Sequence, residues 1–220
     1  MILCIADLLP PGEVQALGEA LADAPFVDGR STAGWHARLV KENLQLSSAD
    51  KTIADLRAHL TDTVRRHELF ELAVRPKALT PVIVSLYKEG MQYGAHVDDA
   101  VMHGLRTDVS FTIFLNDPDS YDGGELVIET SAGEEAYKLP PGAGIVYPSG
   151  ALHRVAPVTR GERLVVVGWA QSYVRDAGQR EILFDIDRAR RALFQAQGKT
   201  AEFDLISKSL ANLLRRWAEV

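Results

Sequence analysis

The sequence predicts a mainly β fold with α elements: an antiparallel sandwich or jelly roll flanked by N-terminal and C-terminal helices. Two observations lead there. Between residues 80 and 172, four short runs rich in β-branched and aromatic residues follow one another, at 82–87, 109–115, 125–128 and 163–169. Turn-forming Asp122-Gly123-Gly124, Pro140-Pro141-Gly142 and Arg160-Gly161 punctuate them with no helical period between, which argues against a βαβ sheet. Outside that stretch, apolar residues recur every three or four positions, the helical spacing.

The elements follow in order. Residues 1–79 read as a helix-rich support region. Pro11-Gly12-Glu13 opens a segment with Val14, Leu17 and Leu21 on one face, and proline is tolerated in a first helical turn. Ser48 is placed to cap a helix carrying Ile53, Leu56, Leu60 and Val64. Residues 80–175 form the expected jelly-roll body, and 176–220 a helical extension of the same fold. There, Ile182, Leu183, Ile186, Leu193 and Phe194 make one stripe, with Gly198 as the stop. Thr200 then caps a last helix presenting Phe203, Ile206, Leu210, Leu213, Leu214 and Trp217.

Composition narrows the function classes. At 220 residues the chain is about 1.5 ordinary domain lengths. With 46% hydrophobic and 25% charged residues it has the balance of a globular protein rather than a disordered one. A net charge of −6 makes it a poor binder of phosphate backbones, so no nucleic-acid partner is expected. The single Cys4 forms no internal disulfide. No apolar run is long enough to span a bilayer, and Asp7 stands where a leader would be basic. The expectation is a cytoplasmic protein without a membrane partner.

The chemistry starts at His96-Val97-Asp98. On an extended chain, positions i and i+2 project from one face, so both side chains reach one point. His153 follows 55 residues after Asp98, at the start of further strand sequence. Two histidines and a carboxylate on separate strands match the facial triad of non-haem Fe(II) oxygenases, which leaves metal positions open for co-substrate and oxygen. Arg163 begins the last strand run, and parity sets it on one face with Val165, Val167 and Trp169. A buried guanidinium needs an anion, and a ligand carboxylate suits its fork.

Several strings carry a family resemblance. They are Tyr87-Lys88-Glu89-Gly90-Met91-Gln92-Tyr93-Gly94-Ala95-His96-Val97-Asp98, Phe114-Leu115-Asn116-Asp117-Pro118 and Tyr121-Asp122-Gly123-Gly124-Glu125-Leu126. Others are Lys138-Leu139-Pro140-Pro141-Gly142, Tyr147-Pro148, Leu152-His153-Arg154-Val155, Pro157-Val158-Thr159-Arg160-Gly161-Glu162-Arg163 and Trp169-Ala170-Gln171-Ser172. With the ending Asn212-Leu213-Leu214-Arg215-Arg216-Trp217-Ala218-Glu219, the chain resembles the PKHD-type hydroxylases of the prolyl-4-hydroxylase-like Fe(II)/2-oxoglutarate dioxygenases. Gly150-Ala151 departs from that family's small polar pair.

The resemblance implies a double-stranded β-helix and one Fe(II) per subunit on His96, Asp98 and His153, with Arg163 holding 2-oxoglutarate. It implies hydroxylation of an unidentified substrate, with 2-oxoglutarate and O2 converted to succinate and CO2. L-Ascorbate (vitamin C) as reductant and a link to iron homeostasis come with it. Tyr87, Tyr93, Thr112 and Trp169 are candidate pocket residues, although strand aromatics more often serve the core. His36, His59, His67 and His103 lack ligand spacing, and Arg106 reads as a solvated loop charge. The last stripe must be covered either by the chain's own jelly roll or by a second subunit. A homodimer through the C-terminal helices is one expectation, two-fold contacts being the commonest, with intramolecular packing its equal alternative. The competing functions are a cupin-like non-redox metalloenzyme and a non-catalytic iron or keto-acid sensor.

Overall fold

A computed structural model describes residues 1–47 and 51–220, so the Ser48 cap lies outside the described residues. Two antiparallel sheets dominate. The larger runs in the order Leu3–Ile5, Gly144–Pro148, Val109–Phe114, Glu162–Ser172, Ile83–Lys88, Leu44–Leu46, Phe26–Asp28, and Pro76–Leu79 also pairs with Glu162–Ser172. The smaller runs Gly133–Tyr137, Leu126–Thr130, His153–Val155, Gln92–His96, Lys41–Glu42. The expected four strand runs are all present. The short strands at 3–5, 26–28, 41–42 and 44–46 come from the stretch read as helix-rich, since two or three residues are too few to show an alternation.

Strand parity explains the layers. In Glu162–Ser172, Arg163 and Val165 lie opposite Tyr87 and Ser85, while Phe114 and Thr112 of the other neighbour lie opposite Val165 and Val167. Val165 and Phe114 pack with Leu126, Ile128 and Val155 of the smaller sheet, so one apolar cluster joins the two sheets. The alternate residues Phe111, Ile113, Val146, Val166 and Ala170 point the other way, into a second cluster. Helices cover that outer face: α1 (Pro11–Leu21) through Leu17 and Leu21, α2 (Lys51–Arg66) through Ile53, Leu60 and Val64, and α3 (Glu68–Val74) through Phe70. Each such fully buried side chain contributes about 1.5–3 kcal/mol.

The C-terminal helices are α4 (Ala177–Gln197) and α5 (Ala201–Trp217). Gly198 ends α4 at φ +70°, a conformation glycine adopts freely, and Thr200 caps α5 by accepting from the Phe203 N–H. The α5 stripe holds, with Leu210, Leu213, Leu214 and Trp217 packing on Leu183, Ile186 and Val174. The α4 stripe needs correction. Ile182 and Phe194 are 48% and 50% exposed, and Phe184 is buried beside Leu183 instead. The reason is that α4 serves two neighbours, turning Phe184 to the sheet-side core and Leu183 to α5. Among the described residues, no helix is long and apolar enough to cross a membrane.

Candidate functional site

His96 closes its strand directly opposite His153 in the register of the smaller sheet. Asp98 lies one extended step beyond, and one ligand atom from each of the three falls within 4.8 Å of the others. His96 Nδ1 lies 2.8 Å from the Gly94 carbonyl oxygen, and His153 Nδ1 lies 3.0 Å from that of Ala151. A carbonyl only accepts, so each Nδ1 carries the proton and each Nε2 keeps its lone pair for a cation. His153 Nε2 and Asp98 Oδ2 are 3.8 Å apart, too far for a hydrogen bond. Ser110 Oγ donates to Asp98 Oδ2 at 2.6 Å and shares a hydrogen bond with Ser149 Oγ at 2.8 Å, which fixes the carboxylate.

Burial, and then neighbouring His153, push His96 down to about 4, against the Gly94 carbonyl and Asp98. At neutral pH it is the uncharged imidazole that a metal requires. Two imidazole nitrogens and a carboxylate on one side suit Fe(II), with positions left open. The donor set fits the metal that the sequence implies.

The triad opens into a pocket of about 70 Å³ that is continuous with solvent. Tyr93 stacks on His96 with ring centroids 3.6 Å apart, and Tyr147 meets His153 edge-on at 5.1 Å. Arg163 is 1% exposed, between the rings of Tyr87 at 5.0 Å and Phe114 at 5.4 Å. Its Nε has no hydrogen-bond partner, nor has the nearby Tyr121 hydroxyl. Burial lowers its pKa while Tyr87, Tyr121 and Tyr147 oppose that shift. A buried cation with an orphaned donor calls for an anion, and a bidentate carboxylate fits. Gly124 permits the packing: at φ +69° a Cβ there would crowd the Arg163 side chain at 3.1 Å.

The other sequence candidates divide. Tyr87, Tyr93 and Trp169 line the pocket, and Trp169 Nε1 is unpartnered. Thr112 does not; it hydrogen-bonds the buried Tyr147, whose hydroxyl burial holds well above its ordinary pKa. Arg106 is not a solvated charge: it pairs with Asp108 at 2.7 Å and Glu219 at 2.8 Å, because the chain's end returns beside its hairpin. His59 faces Glu13 at 3.5 Å and His36 meets Trp35 edge-on, both away from the triad.

Sequence reading missed Ser110, Tyr147, Lys41, Asn43 and Gln45, all on the pocket wall. Their signal is a polar residue at inward parity on a buried strand, visible only once the inward face is known. Lys41 is buried, its Nζ 5.0 Å from the Tyr93 ring, and burial pushes it down to about 8 against the attraction of Asp98 and Asp28.

Residues 82–171 match the 2OG-Fe(II) oxygenase superfamily, and residues 177–219 match the PKHD-type hydroxylase C-terminal domain. The chain is 54% identical over 219 residues to a PKHD-type hydroxylase of Acaryochloris marina, with the whole of both chains covered. It is 52% identical over 219 residues to one of Picosynechococcus, again end to end. A prolyl-4-hydroxylase crystal structure from Pseudomonas putida shares the fold, with TM-score 0.53 and 24% identity, over 78% of this chain and 92% of that one. A chain that joins this oxygenase core to this C-terminal domain, and matches such proteins along its full length, belongs to the PKHD-type hydroxylases and is an iron- and 2-oxoglutarate-dependent dioxygenase.

Proposed function

We propose that His96, Asp98 and His153 hold one Fe(II) per subunit, and that Arg163 holds the distal carboxylate of 2-oxoglutarate. The observation carrying this reading is a pairing: two Nε2 lone pairs and one carboxylate converge within 4.8 Å, and a buried arginine inside the same sandwich lacks an anion. When bound, iron supplies the redox chemistry by which 2-oxoglutarate and O2 become succinate and CO2 while a C–H bond of the primary substrate is hydroxylated.

The chain's own residues supply position and surroundings. The Gly94 and Ala151 carbonyls hold the imidazole tautomers, and Ser110 keeps Asp98 aimed. Arg163 orients the co-substrate by its fork, and Tyr87 and Phe114 strip water from that contact. In this reading L-ascorbate sustains turnover by restoring oxidised iron, and the activity serves iron homeostasis in the cytoplasm, without nucleic-acid or membrane partners. Exposed Ile182, Phe194 and Leu205 on α4 and α5 support a homodimer through that region.

The test is oxygen-dependent conversion of 2-oxoglutarate to succinate by the Fe(II)-loaded protein, measured with and without ascorbate. Full activity without added iron in the presence of a chelator would reject the reading.

A further inference from the structure

The segment from Lys41 to Leu46 belongs to both sheets. Lys41 pairs with Tyr93 of the smaller sheet, and Gln45 pairs with Ser85 of the larger. Alternation along an extended chain turns Lys41, Asn43 and Gln45 to one side, and all three line the pocket that holds the His–Asp–His cluster. They are 6%, 3% and 5% exposed, a buried polar row that neither the metal nor 2-oxoglutarate uses in the reading above.

The row is incomplete as it stands. Lys41 Nζ donates to Thr32 Oγ1 at 2.9 Å, and Thr32 Oγ1 lies 2.9 Å from Gln45 Oε1. An ammonium has three N–H donors, and that hydroxyl takes one. Among the described residues Lys41 forms no ion pair, and Asn43 Oδ1 is buried without a hydrogen-bond partner. Of the two carboxylates that attract Lys41, Asp98 is engaged by Ser110 and by the metal reading, and the exposed Asp28 accepts from the Arg30 N–H. A buried cation without a paired counter-charge is unfavourable, so the pocket is completed by an anion from outside the chain.

We infer that Lys41 anchors a carboxylate of the primary substrate, with Asn43 and Gln45 hydrogen-bonding the groups beside it. A monoanion suits the site better than a phosphate, because one lysine is the only cation of the row and Asp98 and Asp99 line the same pocket. Val97 and Met102 add an apolar wall, so the substrate class is an organic acid with an apolar body. This assignment rests on the iron and 2-oxoglutarate reading, since it gives Lys41 the substrate that the other two sites leave over.

The experiment is anaerobic calorimetry on the full-length protein loaded with Fe(II) and 2-oxoglutarate, so that nothing turns over. The probes are N-acetyl-leucine, N-acetyl-phenylalanine and 4-phenylbutyrate, each beside its primary amide, with phenyl phosphate as the dianion. At least one acid is expected to bind tenfold or more tighter than its amide and than phenyl phosphate. Lys41→Met is expected to erase that preference, and Lys41→Arg to keep part of it. Equal binding of acid and amide overturns the assignment, and so does the absence of binding by every acid at millimolar concentration. A stronger loss of 2-oxoglutarate than of the acids in Lys41→Met also overturns it, by moving Lys41 to the co-substrate. The wild-type acid–amide comparison stands even if a variant misfolds. Failure of the wild type to bind Fe(II) or 2-oxoglutarate appears in the loading step, and overturns the underlying reading separately.

Discussion

His153 stands opposite His96 across two antiparallel strands, and each ring is bonded through Nδ1 to the carbonyl two residues before it, Gly94 at 2.8 Å and Ala151 at 3.0 Å. The two imidazoles are therefore oriented by the same local device on different strands. Their ring centroids sit 4.3 Å apart, and both Nε2 atoms are left for one shared ion. The geometry is set by strand pairing rather than by a flexible loop.

The triad is testable by removal. His153→Ala should abolish anaerobic Fe(II) binding and oxygen-dependent succinate formation. Ser110→Ala, which frees Asp98 without removing a ligand, should weaken iron binding by about 10–100-fold. Metal titration followed by mass spectrometry measures both, and full iron occupancy in His153→Ala would show the assignment to be wrong.

Arg163 should act on the co-substrate alone. Arg163→Ala loses charged hydrogen bonds contributing about 1.5–3 kcal/mol each, so KM for 2-oxoglutarate should rise about 100-fold or more while Fe(II) still binds. Arg163→Lys should recover only part, because an ammonium lacks the planar fork. An unchanged 2-oxoglutarate requirement in Arg163→Ala removes the residue from this role.

Gly168 tests the layer behind the site. A Cβ at this position would collide with the Phe111 ring, which is held edge-on against Phe70 at 5.4 Å. Gly168→Ala should therefore lower stability by about 1–3 kcal/mol through overpacking. Thermal denaturation at matched concentration reads this, and an unaltered midpoint contradicts the packing argument.

Lys41 should leave a pH signature in the metal-free protein. Its folded value is about 8, against an ordinary 10.5, so between those pH values the unfolded chain binds more protons. Stability from this group is thus complete above 10.5 and is lost as pH falls through 8. From pH 7.5 to 9.5 it should raise stability by about 2 kcal/mol, and Lys41→Met should flatten that rise. Urea unfolding at the two pH values decides, and identical slopes for wild type and variant count against it.

The C-terminal helices carry the dimer expectation. Leu205, 57% exposed, lies outside the buried cluster that joins α4 to α5, and Phe194, 50% exposed, touches α5 only at its rim, with its ring 5.1 Å from that of Phe203. Phe194→Glu with Leu205→Glu should leave a folded monomer where the wild type is a dimer. Light scattering that finds the wild type monomeric at micromolar concentration rejects the interface.

By itself the sequence determined the strand runs, the His96-x-Asp98 pair, His153, Arg163 and the α5 stripe. These are written in local periodicity: alternation sends Arg163 inward with Val165, and a repeat of three to four positions aligns Leu210 with Trp217. Only the tertiary structure decided that Lys41, Asn43 and Gln45 face the pocket of His96, Asp98 and His153, that Ser110 steadies Asp98, and that Arg106 meets Glu219. The same alternation describes a solvated edge strand and a buried polar wall. Which one it is depends on whether a second sheet lies across from it, and that contact joins residues far apart in the chain.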